Sequence, residues 1–221
     1  MLAKDLLSEV IPALNKSDTG AKALNWMEVF RISHLPVVDN KEYLGLISHK
    51  DIYKMGKLDE AIGNPKLSLF SPFVYDGQHI YELIETASRL KLTVVPVLDK
   101  NKNYIGLVAQ NELIEQFARL TAISEPGGII VLEMHNHDYS LSQISQIVES
   151  NNANVLSLFI TSPRDSAMMD VTIKVTSTDL TSIIKTFERY NYQIKSSFMD
   201  NQHLDNFYKN RYEEFMRYLD V

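Results

Sequence analysis

An internal repeat governs what this chain can fold into. Leu35-Pro36-Val37-Val38-Asp39 returns sixty positions later as Val95-Pro96-Val97-Leu98-Asp99, and its surroundings return with it. Tyr43-Leu44-Gly45-Leu46-Ile47-Ser48 with Asp51 is matched by Tyr104-Ile105-Gly106-Leu107-Val108-Ala109 with Glu112. A period of this size means one supersecondary unit used twice, each copy covering the apolar face of the other. The second hairpin turn is one residue longer, an insertion placed where a repeat tolerates it. Residues that differ between the copies are therefore the ones that can hold a ligand.

Hydrophobic spacing outlines the unit. Leu2, Leu6, Leu7 and Val10 fall on one face of a short helix over 1–10, and Pro12 forces Ile11–Leu14 into an extended path. Asp18 or Thr19 caps a helix whose stripe is Ala23, Leu24, Met27 and Phe30. Strands follow at 35–38 and 43–47 around a turn at 39–42, then a helix from Asp51 to about Met55. A connector from Gly56 to Pro72 holds the breakers Gly63 and Pro65. The pattern then restarts, with a strand at 73–75, a helix near 79–90, strands at 93–98 and 104–108 around a turn at 99–103, and a helix at 111–120.

Ser124-Glu125-Pro126-Gly127-Gly128 breaks this pattern, with the two glycines expected to act as a hinge. Beyond it the order becomes βαββαβ: strand 129–134, helix 141–148, strand 155–160, turn 162–165, strand 171–175, helix 180–187 and strand 192–198. That order is the split-βαβ, ferredoxin-like arrangement. Leu204, Tyr208, Tyr212, Phe215, Met216 and Leu219 then predict an amphipathic terminal helix. The expected divisions are 1–64, 65–123, 127–198 and 199–221.

Several function classes are disfavoured. Net charge is -6 and no segment clusters Lys and Arg, so nothing is built to hold a nucleic-acid backbone. The absence of Cys removes disulfides, thiolate zinc sites and cysteine nucleophiles, and suits a reducing cytoplasm. Lys4 and Asp5 interrupt any secretory leader at the N-terminus, and no apolar run approaches a bilayer-spanning length. The expectation is a soluble cytoplasmic protein. No phosphate-binding glycine loop, dinucleotide fingerprint or nucleophile elbow appears. His135 and His137 can share one face of a strand beside Asp138, but a metal site needs a further convergent ligand, and the remaining histidines lie in other segments. The chain is therefore expected to be no enzyme, with no catalytic residue, no metal and no cofactor.

The doubled motif, Leu35 to Asp51 and Val95 to Glu112, resembles a tandem pair of CBS domains, the module named after cystathionine β-synthase, over residues 1 to about 122. Residues 128–198 resemble an ACT domain, and the combination is similar to bacterial acetoin-utilisation accessory proteins. The implied fold class is α+β: a tandem CBS-domain pair, a C-terminal ferredoxin-like ACT domain and a terminal helix. The resemblance implies regulatory binding of an adenine nucleotide (AMP, ADP, ATP or S-adenosylmethionine) in the cleft between the CBS copies. In that family a Ser/Thr and an Asp hold the ribose in the pattern Gly-apolar-apolar-Ser/Thr-x-x-Asp. The first copy fits with Gly45, Ser48 and Asp51; the second departs at Ala109 and Glu112. His49 and Lys50 are placed to neutralise phosphate, His34 to line the base wall, and Pro12 to lie near the same cleft. Ser48-x-x-Asp51 is equally a helix capping box, which alone accounts for both residues. The ACT resemblance places a metabolite at His137-Asp138-Tyr139-Ser140. With no Gly there, close backbone approach is hindered, which favours a unit kept for sheet-to-sheet dimerisation. A homodimer with a protein target is expected. The alternative is a ligand-free dimeric interaction module whose sites have decayed.

Overall fold

The computed structural model describes residues 1–63, 69–163 and 166–199. They belong to two compact units, Met1–Phe117 and Ala118 onward.

The first unit holds the repeat twice. Copy one comprises β1 (Leu14–Asn15), α1 (Gly20–Phe30), β2 (His34–Asp39), β3 (Glu42–Ser48) and α2 (His49–Met55). Copy two comprises β4 (Val74–Tyr75), α3 (Ile80–Leu90), β5 (Val94–Leu98), β6 (Tyr104–Ala109) and α4 (Gln110–Leu120), whose last residues run past the division at Phe117. The sheets run β1-β2-β3 and β4-β5-β6, and each starts with a parallel pair and ends with an antiparallel one. Equivalent positions take equivalent partners, Leu14 opposite Val37 and Val74 opposite Val97. Thr19 caps α1 by accepting the Lys22 N–H at 3.3 Å. Both α1 and α3 end in a left-handed residue, Arg31 and Lys91, each at φ 54°. The apolar runs of β2 and β5 are buried without alternation, as expected of strands covered on both faces.

The copies interlock. The Leu46 N–H donates to Phe70 O at 2.8 Å, and the Ser8 N–H donates to Leu107 O at 2.8 Å. The lead-in to each copy thus lies along the last strand of the other. This explains the repeated glycine: Gly45 and Gly106 sit at φ 145° and 156°, and a Cβ on Gly45 would stand 2.6 Å from Leu69 Cβ. The cores are shared in the same way. Leu92, Val94 and Leu107 enter the core of copy one, and Ala3 and Leu6 enter that of copy two. Where the hairpins meet, Tyr43 and Tyr104 stack with centroids 6.3 Å apart, and burial raises the proton affinity of both phenols. This exchange also corrects the expected helix over 1–10. Only Ala3–Leu6 form a 3₁₀ turn, because Leu7 is extended and Ser8 pairs with β6.

The second unit contains β7 (Gly128–His135), α5 (Leu141–Ser150), β8 (Val155–Thr161), β9 (Met168–Val175), α6 (Thr181–Arg189) and β10 (Gln193–Phe198). Its antiparallel sheet has the order β10-β7-β9-β8. Alternate residues of β7 and β9 (Ile130, Leu132, Val171, Ile173) are buried with Ile144, Val148, Ile183 and Phe187, so both helices cover one sheet face. The expected glycine hinge is instead a packed strand entry. Gly127 has φ 150°, and a Cβ there would stand 2.0 Å from Val175 O; one on Gly128 would meet the Leu180 side chain at 2.6 Å. Pro65, the Arg164-Asp165 half of the turn, and the predicted helix bearing Leu204 to Leu219 lie outside the described residues.

Candidate functional site

The polar corner of copy one forms where β3 runs into α2. Ser48 is in extended conformation and is the N-cap of α2. Its Oγ donates to Asp51 Oδ2 at 2.6 Å and accepts the Asp51 N–H at 3.3 Å, while the Ser48 N–H donates to the same Oδ2 at 3.0 Å. The capping box is therefore complete. It occupies Oδ2 alone; among the described residues Oδ1 accepts no hydrogen bond. Both residues are half-buried.

His34 joins this corner because it stands opposite Ser48 in the β2–β3 ladder. Its ring is half-buried, and desolvation lowers its proton affinity; Asp51 opposes that shift and His49 adds to it. The second copy has no such corner. There Val94 faces Ala109, and Glu112 accepts from Gln116 Nε2 at 2.7 Å. Within the repeat, Val94 takes the place of His34, Ala109 that of Ser48 and Glu112 that of Asp51.

The other sequence candidates are dispersed. Lys50 is exposed on the first turn of α2. His49 lines a groove between α1 and α2 with Leu24, Met27, Arg31 and Tyr53. The residues just before Pro12, Ser8–Ile11, line a groove with Val29, Phe30, Ala109 and Glu112 at the second motif. Interlocking is the reason. It brings the counterpart Pro72 to the β3 side, where Tyr43 Oη donates to Pro72 O at 2.9 Å. Thr93, which the sequence reading missed, joins the corner from copy two. Its Oγ1 accepts the Ser33 N–H at 2.9 Å and lies 3.1 Å from His34 Nδ1. The signal was present, since Ser33 and Thr93 occupy the same repeat position.

In the second unit, Ser140 caps α5 by accepting the Gln143 N–H at 3.4 Å, and Tyr139 packs on the core. His137 and Asp138 are exposed in a 3₁₀ turn, 3.4 Å apart, and the His135 and His137 rings stack with centroids 5.4 Å apart. Among the described residues no three His, Asp or Glu side chains gather as metal ligands. Nor is any helix among them long and apolar enough to cross a membrane.

Residues 3–56 match the CBS domain family. The first copy of the repeat is thus a CBS domain. The second copy repeats its elements in the same order. A curated relative is inosine-5'-monophosphate dehydrogenase from Methanocaldococcus jannaschii, 26% identical over 121 residues. That match takes in 52% of this chain and spans only 23% of the enzyme's length. Among solved structures, a CBS domain pair/ACT domain protein from Thermotoga maritima is 22% identical with a TM-score of 0.48, covering 54% of this chain and 98% of that one. A protein assigned to acetoin utilization in Vibrio cholerae is 20% identical with a TM-score of 0.47, covering 57% and 98%.

Proposed function

We propose that this chain is a non-enzymatic regulatory protein that takes an adenine nucleotide or S-adenosylmethionine at the Ser48–Asp51 corner of its first CBS copy. One observation carries the reading: the repeat keeps a polar corner of His34, Ser48 and Asp51 in one copy and replaces it with Val94, Ala109 and Glu112 in the other. Asp51 Oδ1, which accepts no hydrogen bond among the described residues, suits a ribose hydroxyl. The βαββαβ unit serves as the ACT-like half of a homodimer and passes the ligand's bias to a protein target. Calorimetric titration with AMP, ADP, ATP and S-adenosylmethionine tests this, with Ser48→Ala/Asp51→Ala as control. Saturable heat and a raised melting temperature in the wild type, both lost in the control, are expected. No heat and no melting shift with any of the four overturns it.

A second reading rests on the completed capping box, which satisfies Ser48 and Asp51 without a ligand. In that reading the chain is a constitutive dimeric interaction module. Its melting curve is then unchanged across the same panel while a protein partner co-purifies.

A further inference from the structure

Thr93 belongs to copy two, yet its hydrogen bonds serve copy one. Its Oγ1 accepts the Ser33 N–H at 2.9 Å, which leaves its own proton to donate, and His34 Nδ1 lies 3.1 Å away. The Thr93 N–H donates to that same Nδ1 at 3.3 Å. A backbone N–H can only donate, so Nδ1 carries no proton and the ring holds its single proton on Nε2. The assignment follows from the partners, since a histidine tautomer is read from its hydrogen bonds. A proton on Nδ1 would point at the Thr93 N–H. The charged and titratable groups facing the ring, Asp51 and His49, both lie on α2, while β3 contributes the neutral Ser48 and the lead-in to β5 the neutral Thr93. Among the described residues no partner meets Nε2. Copy two cannot build the same device, because Val94 stands where His34 would be.

We propose that Thr93 is a positioning residue that fixes His34 as an Nε2–H donor at the polar corner of copy one, so that the corner reads a hydrogen-bond acceptor on its ligand beside the hydroxyl taken by Asp51. The ligand half of this statement rests on the nucleotide reading above; the fixed tautomer does not. A purine ring nitrogen and a phosphate oxygen are both acceptors, and comparing AMP with adenosine separates them.

The test uses the full chain labelled with ¹⁵N-histidine and long-range ¹H–¹⁵N correlation at pH 7, with His34→Gln to assign the ring. Wild type is expected to show an unprotonated Nδ1 and a protonated Nε2. Thr93→Val removes the hydroxyl and keeps the backbone N–H, so Nδ1 stays unprotonated but loses one of its two donors: its ¹⁵N shift moves and AMP binding weakens about fivefold, the scale of one hydrogen bond. Thr93→Ser restores both, and also guards against misfolding, because Thr93→Val deprives the Ser33 N–H of its acceptor. A loss with AMP alone supports the proposal with the acceptor on the phosphate; a loss with both ligands supports it with the acceptor on the base. A wild-type ring protonated on Nδ1 overturns the proposal, as does a Thr93→Val ring and affinity identical to wild type. Absence of AMP and adenosine binding to a wild type with the expected tautomer overturns the ligand half together with the nucleotide reading, and leaves the clamp established by its spectrum.

Discussion

The capping box at Ser48 and Asp51 makes a quantitative claim about reciprocity. Ser48→Ala removes one donor to Asp51 Oδ2 and the acceptor of the Asp51 N–H. N-cap replacements of this kind cost about 1 kcal/mol. Asp51→Ala removes the acceptor of both the Ser48 N–H and its hydroxyl, and in this half-exposed setting, where water partly substitutes, the cost is again about 1 kcal/mol. Because each change deletes most of the same network, the double variant loses about 1.5 kcal/mol rather than 2, a coupling of roughly 0.5 kcal/mol. Urea unfolding of the four proteins of the cycle, without ligand, measures this. Strict additivity would show that the two side chains are not hydrogen-bonded in solution and would refute the box. The same cycle in saturating AMP separates the roles: a cap alone leaves the four-way pattern unchanged, whereas a ribose contact adds a ligand-dependent loss to both single variants.

Other expectations follow from the packing and charge. Burial lowers the proton affinity of His34, so below about pH 6.5 the unfolded chain takes up a proton that the folded ring resists. Its stabilising contribution is complete above that pH and is lost as pH falls; urea midpoints between pH 7.5 and 5 show a steeper decline in wild type than in His34→Gln. Gly127→Ala drives a Cβ to 2.0 Å from Val175 O at a φ suited to glycine, and is expected to cost more than about 2 kcal/mol, read as faster amide exchange in β7 and β9. Leu107→Ala, at a fully buried site in the core of copy one, costs about 3 kcal/mol by denaturant unfolding. A fragment of residues 1–63 lacks Leu92, Val94 and Leu107 and shows no cooperative melting, in contrast to residues 1–120.

Much of the fold was legible because both kinds of sequence period survive in the structure. The repeat set equivalent ladders such as Leu14–Val37 and Val74–Val97, and the apolar/polar alternation over Val171–Val175 marked a one-sided sheet. The route of residues 7–11 was not legible, since an apolar stripe cannot say whether Leu7 closes a helical turn or lies on a strand whose partner, β6, follows far along the chain. The polar corner was half visible. Ser48 and Asp51 are close in sequence and form a local motif, whereas the His34–Thr93 contact depends on how two copies are apposed. The neighbours of Pro12 depend on the same apposition: the repeat alone associates Ser8–Ile11 with their own copy's motif, and the chain delivers them to the other.

That exchange bears on how the protein is made. Ser8 leaves a ribosome long before Leu107, its backbone partner, so the opening segment must wait unpaired for roughly a hundred further residues of synthesis. Neither copy can finish its sheet edge or fill its core from its own residues, and an early release would leave apolar strands open to neighbouring chains. Duplication here has produced two halves that mature together or not at all.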